Sequence, residues 1–146
     1  MKKIIAAAVA TAALMSFQAT AFMEGPQVSI IVDGAPLQCE TAPFIENDRT
    51  LVPMRAIFEA VGADVQWDQD TSTVVAWRVD EGTPTFVSLQ ADQKTAFVND
   101  QEKELDVPAK IVGEGTTMVP LRFVVESLGE TVEWDQDSYT VTVTTK

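Results

Sequence analysis

The chain has 146 residues, a formal net charge of −12 and no histidine. With Cys39 as the sole cysteine, it offers no ligand set for zinc or for a copper–imidazole centre, and no Ser-His-Asp or Cys-His arrangement. Its 22 acidic residues against 10 basic ones repel nucleic acid and phosphate-rich polymers, so contact with a cell envelope has to be specific or cation-bridged.

At the start of the chain, Lys2 and Lys3 precede an apolar run from Ile4 to Phe17 and then Ala19-Thr20-Ala21, the small-x-small form of a signal peptidase site. Residues 1–21 are predicted to be a secretory signal peptide. Its apolar run is shorter than the ~20 residues needed to span a bilayer. Loss of Lys2 and Lys3 takes the formal charge from −12 to −14. The mature chain is expected to be secreted, with no membrane span. Cys39 cannot pair internally, and the expectation is a small buried apolar side chain, with intermolecular pairing as the other reading.

The next elements alternate with turns. "VSIIVDGAPLQC" reads as a hairpin turning at Asp33-Gly34. Then comes "TLVPMRAIFEAVGADVQWDQDTSTV" over residues 50–74, which returns as "TMVPLRFVVESLGETVEWDQDSYTV" over residues 117–141, an ungapped offset of 67 with 13 of 25 positions identical. In each copy a proline, Pro53 or Pro120, is placed to open a helix at its first position. Met54, Ile57, Phe58 and Val61 then follow with helical spacing, as do Leu121, Val124, Val125 and Leu128. Gly62 and Gly129 come where a left-handed residue ends a helix. Val65 and Trp67, or Val132 and Trp134, then alternate with polar residues as in a half-buried strand, and a second β-rich run follows at Thr73–Val79 or Thr140–Thr145. A further strand is expected over Thr85–Ala91, and "TAFVNDQEKEL" reads as a hairpin turning near Asn99-Asp100.

About nine strands and two helices are therefore predicted, in an α+β fold of two pseudo-symmetric repeats. Each repeat would be a twisted antiparallel sheet packed on one helix. The repeats are placed at residues 22–79 and 80–146. Units of this size are marginal alone, so the two are expected to share contacts.

"RTLVPMRAIFEAVGADVQWD" and "TTMVPLRFVVESLGETVEWD" resemble the copper amine oxidase N-terminal-like domain, also called the stalk domain. The resemblance covers nearly all of the mature chain. It rests on Val-Pro-x-Arg-x-x-x-Glu-x-x-Gly joined to a Trp-Asp hairpin in both copies, with an upstream Val-Asp-Gly. It implies a sheet wrapped on a helix in exported and envelope proteins, often beside catalytic or binding domains. It does not imply oxidase chemistry. Such oxidases hold copper with histidines and use a quinone made from a tyrosine, whereas Tyr139, in "DSYTV", does not resemble that setting.

No catalytic residues and no cofactor are assigned. Carboxylate pairs spaced for glycan hydrolysis can always be found among 22 acids, which leaves a small carboxylate-based glycan hydrolase as a remote alternative. Arg55 and Arg122 stand at helix starts, but Glu59 and Glu126 follow at i+4, so helix-surface pairing is the better reading. Trp67 and Trp134 share a strand face with valines and are expected in the core. Trp77 has no counterpart in the second copy, where Thr144 stands, and is the candidate ligand contact. Asp68, Asp70, Asp135 and Asp137 are expected in turns, with calcium ligation as the alternative that would make this a calcium-dependent extracellular binding module. The function expected is thus an exported, non-catalytic binding or scaffold module at or outside the cell envelope, with an envelope glycan or protein as partner and no nucleic acid.

Overall fold

The computed structural model describes residues 27–145; the predicted signal peptide lies outside the described residues. The chain runs β1 (Ser29–Val32), β2 (Ala35–Pro36), β3 (Phe44–Glu46), β4 (Arg49–Pro53), α1 (Met54–Ala60), β5 (Asp64–Asp68), β6 (Thr73–Asp80) and β7 (Thr83–Gln90). It continues through β8 (Thr95–Val98), β9 (Gln101–Glu104), β10 (Lys110–Val112), β11 (Thr116–Pro120), α2 (Leu121–Ser127), β12 (Thr131–Asp135) and β13 (Thr140–Thr144).

The class is α+β, with thirteen strands among the described residues rather than about nine. The four not expected are β3 and β10, three residues each and too short to display a period of two, and β4 and β11, which run through Pro53 and Pro120 straight into the helices. The β3–β4 turn carries Asn47 and Asp48 at φ 50° and 65°, a left-handed pair suited to a tight hairpin.

Three sheets form, with strand orders β12-β13-β1-β2, β10-β11-β4-β3 and β5-β6-β7-β8-β9. In the second, the strands of the repeated phrase lie antiparallel to one another, with Val119 opposite Val52, Met118 opposite Pro53 and Pro120 opposite Leu51. The first and third sheets each combine strands from both sides of the Val79-Asp80 junction. The sheets predicted to be antiparallel are not so throughout, for the first contains a parallel pair. β1 lies parallel to β13, Ile30 opposite Val141, because strands from opposite ends of the chain meet there without a hairpin to reverse them. In the third sheet β7 stands between β6 and β8, and antiparallel pairing is kept throughout.

Each helix starts one residue later than the sequence reading placed it. Pro53 and Pro120 end β4 and β11 in extended backbone, ψ 131° and 118°, and occupy the cap rather than the first helical turn. The chain thus passes from strand to helix without a loop. Ile57, Phe58, Val124 and Val125 are fully buried, each worth roughly 1.5–3 kcal/mol of gross burial. Both helices end alike. The Gly62 amide bonds to the Glu59 carbonyl at 3.1 Å and that of Ala63 to Phe58 at 2.9 Å, matched by Gly129 to Glu126 at 3.0 Å and Glu130 to Val125 at 3.1 Å. These paired bonds satisfy carbonyls that the helix leaves open, and they need positive φ at the glycine, here 81° and 86°.

One core joins the helices to all three sheets, from Ile30 and Val143 through Val52 and Val119 to Val74 and Val87. On the opposite face of the middle sheet, Leu51 and Met118 form a smaller cluster with Val107.

Candidate functional site

The repeated Trp-Asp-Gln-Asp segment closes the β5–β6 and β12–β13 hairpins in the same way. Trp67 Nε1 donates to Gln69 Oε1 and Trp134 Nε1 to Gln136 Oε1, both at 2.9 Å. Asp68 Oδ1 accepts the Asp70 amide at 3.0 Å; Asp135 Oδ1 accepts the Asp137 amide at 3.0 Å and the Ser138 amide at 3.4 Å. One oxygen of each leading aspartate is therefore engaged by its own turn. No group of three or more His, Cys, Asp or Glu placed to hold a metal occurs among the described residues.

Where the two hairpins differ, a groove of about 760 Å³ opens beside the second. One wall is aromatic, with Phe123 from α2 and Trp134 and Tyr139 from the β12–β13 hairpin; Ile45, Leu105 and Val107 stand among the other lining residues. Trp134 and Tyr139 meet edge to face, centroids 5.4 Å apart at 78°. At the offset of 67, the first copy has Ala56 in place of Phe123 and Ser72 in place of Tyr139. The fold is thus satisfied by small residues at both positions, and the second copy fills them with aromatic rings.

Tyr139 is held at φ 51°. Its counterpart Ser72 has φ 55°, so the turn demands left-handed backbone in both copies, and a bulky aromatic residue is a poor occupant of that region. Strain of this kind is concentrated where a side chain is needed for more than folding.

Charged side chains complete the groove. Arg49 Nε and Nη2 donate to Asp106 Oδ2 at 3.1 and 2.5 Å, linking β4 to the segment after β9. Arg122 Nη1 donates to Glu126 Oε2 at 3.0 Å along α2. Its counterpart Arg55 approaches Glu59 at 3.7 Å. Both pairs are half exposed, and each is worth a few tenths of a kcal/mol. The helix-surface pairing expected of these residues is present, and the second pair also lines the groove.

Trp67 and Trp134 are half-buried against the core rather than within it, because their hairpins lie at sheet margins. Trp77 is not among the groove residues. It points to the outer face of the five-stranded sheet beside Phe86, centroids 6.4 Å apart, with Val79 and Phe97 exposed on that face. Cys39 is partly buried against the core, and burial pushes its thiol above the ordinary value.

The sequence profile of the copper amine oxidase N-terminal domain matches residues 31–143, a span that holds both copies of the strand–proline–helix–glycine unit and of the Trp-Asp hairpin closing it. The chain belongs to that family. No curated protein matches it significantly. The family match indicates no catalytic domain. The chain supplies no imidazole for the histidine-held copper of such oxidases.

Sequence reasoning missed the groove because its members come from four separate stretches of chain, 45–50, 104–107, 120–126 and 132–141. Two signals pointed to it, the replacements of Ala56 by Phe123 and of Ser72 by Tyr139 between the copies.

Proposed function

We propose that this chain is an exported, non-catalytic binding module acting at or outside the cell envelope, with the groove beside α2 as its contact surface. The observation that carries the binding role is Tyr139, an aromatic ring kept in left-handed backbone at the groove wall. The N-terminal sequence supports export, and the lack of histidine supports the absence of amine oxidase activity. We read the fold as two pseudo-symmetric repeats, supported by the 67-residue offset and by the pairing of Val52 with Val119.

Sedimentation of the purified chain with isolated cell-envelope material tests the contact surface. The chain should pellet equally in calcium and in chelator, and Tyr139→Gly should remain in the supernatant. Equal pelleting of Tyr139→Gly and the parent chain would show that the groove is not the contact surface.

A further inference from the structure

We infer that the groove takes an uncharged linear glycan, with a pyranose ring laid against Trp134 and Tyr139, an inference that rests on the groove being the contact surface proposed above. Charge narrows the ligand first. Four carboxylates, those of Asp48, Glu104, Asp106 and Glu126, line the groove against the two guanidinium groups of Arg49 and Arg122. Each guanidinium already has a carboxylate partner, Asp106 or Glu126. An anionic ligand would thus meet surplus negative charge and no uncommitted guanidinium in the lining, which disfavours phosphates, sulfates and uronic acids.

The hydrogen-bonding complement fits hydroxyl groups. A sugar hydroxyl both donates and accepts, and an exposed guanidinium–carboxylate pair presents N–H donors beside lone-pair acceptors. Two such pairs border the groove, and water can be exchanged for hydroxyls at either without stranding a charge. The aromatic wall supplies the apolar half of the interaction. Because the Trp134 N–H is taken by Gln136 Oε1 at 2.9 Å, the indole offers its ring surface rather than a donor. The C–H face of a pyranose is apolar and matches that surface, and rigid aromatic side chains lose little entropy on contact. At about 760 Å³ the groove lies towards the upper part of the ~300–1,000 Å³ range of small-molecule sites, enough for more than one sugar ring. The first copy, with Ala56 and Ser72 at the corresponding positions, lacks both added rings, so one glycan site per chain is implied.

Calorimetric titration of the full chain with cellohexaose and chitohexaose, beside polygalacturonate and a lysine hexapeptide, tests this. At least one neutral hexasaccharide should bind at one per chain, and polygalacturonate and the peptide should not. Tyr139→Gly and Phe123→Ala should each weaken binding about tenfold or more, while their unfolding midpoints stay near that of the parent chain. Glycine is at ease at that φ, and alanine is the first copy's own residue. Equal affinity of the variants and the parent overturns the inference, as does preferential binding of polygalacturonate or the peptide. If neither hexasaccharide binds while retention on envelope material still depends on Tyr139, the ligand class is wrong and the contact surface stands. If that retention does not depend on Tyr139, the contact surface itself is wrong.

Discussion

Arg78 and Glu130 form an ion pair that joins the ends of the two helices. The Glu130 side chain is fully buried and that of Arg78 is 11% exposed. The same guanidinium donates to the Val61 carbonyl at 2.8 Å and the Leu128 carbonyl at 2.7 Å, those of the residues that cap α1 and α2 at their C-terminal ends, and holds Asp80 at 2.9 Å. A cation at two helix C-termini also meets both macrodipoles favourably. Burial alone would lower the Arg78 guanidinium, but hydrogen bonds to Asp80 and Glu130 and the charges of both carboxylates hold it above its ordinary value.

Arg78→Met is therefore expected to lose about 3–5 kcal/mol in urea unfolding, since it removes the cation of a buried ion pair. Glu130→Ala, which installs the residue found at Ala63, should lose less because Asp80 and both carbonyls still engage the guanidinium. The double variant should be more stable than Arg78→Met alone, and additive losses would show that the two residues do not act as a pair.

At the helix ends, Gly62→Val and Gly129→Val should each destabilise by about 1 kcal/mol or more. At Gly62 the obstacle is conformation rather than space, as an added Cβ meets only Arg78 Cδ, at 4.0 Å. Urea melts unchanged in both variants would contradict the termination geometry.

Much of the framework was legible because repeated residues solve repeated problems. Pro53 and Pro120, Gly62 and Gly129, and the Trp-Asp turns could be placed from spacing and backbone preference. Arg78 could not. Its counterpart at the offset of 67 is Thr145, and a single guanidinium serving two helix ends leaves no repeated signal. Glu130 was equally silent, since a buried acid in a chain so rich in acids is visible only once Arg78 is placed beside it. Trp77 drew attention as a non-repeated tryptophan, but the same comparison between copies applied to Phe123 and Tyr139 leads to the groove.

Asp33 ties the first turn to the end of β13, its Oδ1 accepting the Thr145 amide at 2.8 Å and its Oδ2 the Thr145 hydroxyl at 2.5 Å. The side-chain bond to Thr145, and then the backbone bond, hold its pKa below the ordinary 3.8. A lowered folded pKa gives stability that is present above the unfolded value and lost as pH falls through the folded one. The stability difference between the parent chain and Asp33→Asn should hold near neutrality and narrow below pH 3.8, as followed by thermal melts across that range.

Calcium should leave the unfolding midpoint unchanged relative to chelator. A site with a dissociation constant near ~10 μM would add about 2.7 kcal/mol at ~1 mM calcium, a shift of several degrees. A rise abolished by Asp68→Asn with Asp135→Asn would make the turns metal sites.

Trp67 and Trp134 offer matched reporters of where binding occurs. Both indole N–H groups bond to a glutamine oxygen at 2.9 Å, and of the two only Trp134 lines the groove. The indole resonances of the chain, followed by NMR during titration with solubilised envelope glycan, test the central claim most directly. The Trp134 signal should shift and saturate while those of Trp67 and Trp77 stay in place. Movement of the Trp77 signal alone, or equal movement of Trp67 and Trp134, would contradict the groove as the binding surface.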